Sequence, residues 1–176
     1  MARALAQQAQ SAVDQDDVRQ AAAASIIMAV AFVETYLNIM ARLWIEQHEA
    51  FEFRDQIDKD LAGKRPLGRK LEEWPQLFFK KRLNFGCGPA QRFKETLDLR
   101  NQLMHFSSDA HEYEFENIKI KGLMNTGAYD SLDASLAHKS VKSATEFISH
   151  LIEIQGIPSE QIVHAMHHWV GQPVMA

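Results

Sequence analysis

Apolar residues recur along this chain at intervals of three, four and seven over long stretches, which is the period of one helix face. From about Asp14 to Glu49 the pattern holds Ile27, Val30, Leu37, Ala41 and Trp44 in step, and Asp14 to Asp17 offer an acidic N-cap and first turn. The first half of this long helix is apolar nearly all round and needs cover on more than one side. Glu34, Asn38 and Arg42, at steps of four, draw one polar line down its second half. The stretch from Gly63 to Gly68, with Pro66 inside it, reads as a loop. A second helix is predicted from about Leu67, with Leu71, Trp74, Phe78 and Leu83 turned inward and Pro75 able to kink or split it. NFGCGP breaks the pattern, and Pro89 as a first helical residue opens a third helix running to about His105.

From Ser107 to Asp130 the period changes from helical to alternating. In HEYEFENIKIK a two-residue turn at Glu116 and Asn117 pairs Phe115 with Ile118, Glu114 with Lys119, Tyr113 with Ile120 and Glu112 with Lys121, setting opposite charges across from each other. The turn has no glycine, so an irregular excursion is the alternative. Helical pattern resumes from about Ser131 to Ile154, stops at Gly156, and returns for a last short helix from Pro158 to Trp169. The sum predicts an all-α chain: a four- to five-helix up-and-down bundle, a single domain over 1–176, with a loop or hairpin excursion over 107–130 after the third helix. Residues 1–13 stand outside it as a candidate disordered start.

Composition sharpens this picture at three points. A chain of 176 residues, 46% hydrophobic and 24% charged, can bury a core of its own. Its lone cysteine, Cys87, forms no intrachain disulfide, and MARALAQQAQSAVDQ lacks the apolar stretch of a secretory signal. The longest apolar run, from Ala21 to Val33 with Ser25 in it, is too short to span a bilayer and ends at Glu34. A cytoplasmic chain with no membrane segment is the expectation. The net charge of −4 by itself disfavours a polyanionic partner, but residues 64–100 hold ten basic side chains against four acidic ones, leaving the remainder at −10. Lys64, Arg65, Arg69, Lys70, Lys80, Lys81 and Arg82 are therefore candidate phosphate-binding residues, although basic runs on helices are more often a solvated face.

One constellation carries chemistry. In LDLRNQLMHF of the third helix, at about 100° per residue, Asn101 and His105 lie about 40° apart on the wheel. Phe93, Leu97 and Met104 make one apolar stripe and Leu99, Leu103 and Phe106 a second, with Arg100 between them. A guanidinium held between packed surfaces cannot shed its charge, so it needs an anionic or hydrogen-bonding partner, such as Glu34 of the long helix. The bland reading of the three residues is an ion pair, a satisfied amide and a histidine at a helix C-terminus. Together, Arg-Asn-x-x-x-His within a helical chain resembles the Arg-x4-6-His motif of the HEPN superfamily, with a polar residue directly after the arginine and Glu34 as a supporting residue in the long first helix.

That resemblance, carried by six residues and the helical plan, implies a homodimer whose two motifs form one cleft, and a metal-independent endoribonuclease with Arg100, Asn101 and His105 as catalytic residues. RNA is then the partner, no cofactor is needed, and a role as a toxin or defence component, with an antitoxin partner protein, is the biological expectation. The alternative is a non-catalytic helical module of the same family that dimerises or binds a nucleotide or partner protein. Weaker signals stay with ordinary readings. Glu160, His164 and His168 fall at steps of four but lack a committed further ligand, Cys87 lacks a base, and the tryptophans and phenylalanines are core before they are base-stacking platforms.

Overall fold

A computed structural model describes residues 1–48, 51–104, 112–115, 118–121, 126–157 and 161. Their order is α1 (Ala2–Ser11), α2 (Gln15–Gln47), α3 (Arg54–Ala62), α4 (Leu67–Phe79), α5 (Gly88–Met104), β1 (Glu112–Phe115), β2 (Ile118–Lys121), α6 (Gly127–Asp130) and α7 (Ala134–Ile154). The described chain is helical apart from one hairpin. That hairpin pairs Glu112 with Lys121, Tyr113 with Ile120, Glu114 with Lys119 and Phe115 with Ile118, the register expected from cross-strand charge pairing. The last short helix expected over 158–169 lies outside the described residues.

Among the described residues there are seven helical segments where four or five were expected, because three short ones carry little periodic signal. α1 occupies the expected disordered start. Its inward residues are alanines, Ala6 and Ala9, both buried, and alanine combines the highest helix propensity with too little side chain to register as an apolar stripe. α3 has one fully buried aliphatic residue, Ile57, and α6 is a single turn. Helix boundaries follow local chemistry. Asp14 Oδ1 accepts hydrogen bonds from the backbone N–H of Asp16 (2.8 Å) and Asp17 (3.3 Å), capping α2, and Asp133 Oδ1 accepts from Leu136 N (2.7 Å) at the start of α7. α7 is followed by Gly156 at φ +85°, a left-handed conformation that glycine adopts without a Cβ clash. α4 runs through Pro75 as one helix and ends earlier than its apolar pattern. Lys80 turns left-handed at φ 57°, which leaves Leu83 beyond the helix.

The described residues form two compact units, one from 1–30 and 94–142, the other from 31–93 and 143–176, and α2, α5 and α7 each contribute to both. The first unit packs around Ala6, Ala9, Ala21, Ala22, Ile26, Leu103, Leu132 and Ala137, with Leu99, Tyr129 and Val141 against them. Small side chains let α1 lie close to α2, where Ser25 Oγ donates to Ala2 O at 2.9 Å. The second unit buries Leu37, Ile57, Leu71, Trp74, Phe93, Phe147, Ile148 and Leu151 almost completely. Phe93 and Phe147 stack at 4.6 Å with planes 7° apart, joining α5 to α7, and Arg92 Nη2 reaches Glu146 Oε2 at 2.8 Å beside them. The 33 residues of α2 are also long and apolar enough to cross a membrane by length and composition alone, with 44% of the most apolar stretch buried within the protein.

Candidate functional site

The last turn of described α5 presents Arg100 and Asn101. Leu103 is buried in the first unit and Leu99 packs against the same cluster, so these two members of the second expected stripe face that core, while Phe106 lies outside the described residues. Phe93 and Leu97 of the other stripe are buried as well, but Met104 is 49% exposed. Arg100 is therefore half-buried, as a residue between two packed stripes must be. Its Nη1 donates to Asn101 Oδ1 at 3.1 Å, while its Nε is buried with no hydrogen-bond partner among the described residues. Among the described residues such an N–H gives up hydration without replacement. His105 lies outside the described residues.

Glu34, the expected support for Arg100, faces a different cation. Its Oε1 accepts from Lys70 Nζ at 3.1 Å, and Asn38 Oδ1, one turn along the same polar line of α2, accepts from that ammonium at 2.9 Å. Lys70 Nζ also sits 5.4 Å over the Trp74 ring. Lys70 is 2% exposed, so this member of the basic segment is an internal cation and not part of a solvated face.

Arg65 is likewise engaged inside the second unit. It reaches Asp60 Oδ1 at 2.9 Å and Glu73 Oε1 at 2.5 Å, and the hydrogen bond it donates to Glu73, then that to Asp60, raises the guanidinium's pKa. Asp60 accepts in addition from Trp74 Nε1 at 3.2 Å, tying α3 to α4. Arg69 makes an exposed contact with Glu72 at 3.4 Å, a pair too solvated to hold much energy. Lys64, Lys80, Lys81 and Arg82 are exposed and form no ion pair among the described residues. Of the seven expected phosphate-binding residues, these four are the cations left to face an outside anion.

Two features had no sequence signal of their own. Asn38 and Trp74 complete the shell of Lys70, and only the polar line through Glu34 pointed toward that place. In the second unit Tyr36, Met40, Trp44, Ile152 and Gln155 line an open cleft of about 340 Å³. There Gln155 Nε2 donates to Tyr36 OH at 2.8 Å, and burial, partly opposed by that bond, pushes the Tyr36 hydroxyl above its usual pKa of 10.0. Among the described residues no three His, Cys, Asp or Glu side chains gather where they could hold a metal ion, and Cys87 is free and exposed. In comparisons with known proteins, no family model, no curated protein and no solved structure matches the chain.

Proposed function

We propose that this chain is a metal-independent, HEPN-like endoribonuclease that works as a homodimer of helical bundles. The observation that carries the reading is Arg100, half-buried, with one guanidinium nitrogen bonded to Asn101 and its Nε without an acceptor among the described residues. A nonbridging phosphate oxygen is an acceptor of the kind it lacks, and a guanidinium binds such oxygens through directed, charge-assisted hydrogen bonds. His105 takes the proton from a ribose 2′-hydroxyl as the general base, the role that imidazole most often fills. The 2′-oxygen attacks the adjacent phosphorus, Arg100 meets the charge growing on the nonbridging oxygens, and the 5′-oxygen leaves and takes up a proton. Asn101 holds the guanidinium in place. The products are a 2′,3′-cyclic phosphate and a 5′-hydroxyl, and DNA is spared because it lacks the nucleophile.

The test is cleavage of single-stranded RNA in EDTA by wild type, Arg100→Ala and His105→Ala, with the termini read by mass spectrometry. Cleavage by wild type to cyclic phosphate, lowered at least a hundredfold in both variants, is expected on the scale of losing a general base or a transition-state hydrogen bond. Equal activity in all three overturns the assignment. A second reading, a non-catalytic module that binds a nucleotide or partner protein, is favoured by the cleft at Tyr36 and Gln155, whose volume falls within the range of small-molecule sites. RNA left intact by pure wild type selects it.

A further inference from the structure

The exposed cations at 80–82 adjoin a connected set of aromatic rings in the second unit. Phe79 meets Trp44 edge-on at 5.2 Å between centroids, and His48 lies flat on Trp44 at 4.3 Å with planes 15° apart. Lys80, directly after Phe79, holds its Nζ 5.3 Å over the ring of Phe53, which in turn meets Phe51 edge-on at 5.7 Å. In a core such rings would be fully enclosed. Here Trp44, Phe51, Phe53 and Phe79 are only partly buried, and His48, at the outer end of the stack, is exposed. The left-handed turn at Lys80 stops α4, and Lys81 and Arg82 follow it into solvent without an ion pair among the described residues. Glu46, Glu52 and Asp55 are the described acidic side chains nearest to these rings in the chain, and all three are exposed. An exposed imidazole at the end of a ring stack, with unpaired cations near it in the chain, suits a ligand that has both flat π-faces and negative charge at regular spacing.

We propose that this surface binds single-stranded RNA, with a base stacked on His48 as the next layer of the Trp44–His48 stack, and with Lys81 and Arg82 on flanking phosphates. The choice of RNA over DNA rests on the ribonuclease reading, whereas the preference for a single strand rests on the rings. A base in a duplex has both faces covered by its neighbours, so only an unpaired one can be added to a protein stack. Stacking is nearly indifferent to base identity, and the surface therefore holds RNA without choosing a sequence.

The experiment uses the full chain carrying His105→Ala, so that RNA survives, and reads fluorescence anisotropy of a labelled 12-nucleotide single strand and of the same sequence as a duplex. His48→Ala and the double variant Lys81→Ala/Arg82→Ala alter exposed side chains and leave the buried core intact. Each is expected to lower single-strand affinity about tenfold, and the duplex is expected to bind more weakly than the single strand. The two variants separate by salt dependence. Loss of two phosphate contacts flattens the slope of log affinity against log salt by about 1.4, while His48→Ala leaves it unchanged. Unchanged single-strand affinity in His48→Ala, or duplex binding as tight as single-strand binding, overturns the proposal. If the parent binds and the surface variants do not, yet wild type never cleaves, the nuclease reading falls and this surface stands. If wild type cleaves and the surface variants bind and cleave equally well, the surface alone falls.

Discussion

Lys70 is the residue where burial and charge conflict most directly. Its ammonium has three donors, and the structure supplies Glu34, Asn38 and the face of Trp74. The side chain of Glu34 is 35% exposed, so water can solvate the carboxylate if its partner is lost. Lys70→Met is therefore expected to cost about 2 kcal/mol, less than breaking a fully buried pair. Urea unfolding checks it, and adding Glu34→Gln to the same chain should cost less than the two single changes summed. Tyr36 makes an alkaline prediction. Its pKa is raised in the folded protein by burial, so its contribution is complete below pH 10.0 and is lost as pH rises further, where the unfolded chain ionises first. Tyr36→Phe should weaken the fall in melting temperature above pH 10, and an identical fall in both proteins contradicts it. Neither environment could be read from the chain. A lysine in a basic run is ordinarily solvated, and only the arrival of α4 against the polar line of α2 encloses this one.

Among the elements, the long helices were legible and the short ones were not. α2, α4, α5 and α7 each carry enough periodic apolar residues to define a face, and Asp14 and Gly156 mark ends by chemistry local to a few residues. For the hairpin, alternation and charge pairing offered one register, but a turn without glycine left an irregular excursion open, and the structure decides for the paired strands. α1 and α3 depend on what they lie against. α5 meets α7 through Phe93 and Phe147, both fully buried and stacked. Phe93→Ala is expected to cost about 3–5 kcal/mol by chemical denaturation, and Phe93→Leu clearly less, because leucine refills part of the space. Equal losses in the two variants would mean that ring stacking, and not filled volume, holds these helices together.

At the scale of the molecule, the proposed function requires two copies to complete one cleft. Activity per protomer should then rise with protein concentration through the dissociation constant of the dimer, and saturate above it, when cleavage rates and size in solution are measured on one dilution series. A flat specific activity across a range where the protein changes from dimer to monomer rules out a shared cleft. Sequence alone determined the helical class and the helix ends marked by Asp14 and Gly156, because each is decided by residues within a few positions of one another. Tertiary structure alone decided which charges are free. Arg65 and Lys70 sit in the same basic run as Lys81 and Arg82, yet the first two are neutralised by carboxylates 8 and 36 residues away and the others face water. Local spacing reports which side chains share a face, whereas the partner that desolvates or neutralises them comes from a distant part of the chain and leaves no mark in the neighbourhood it covers.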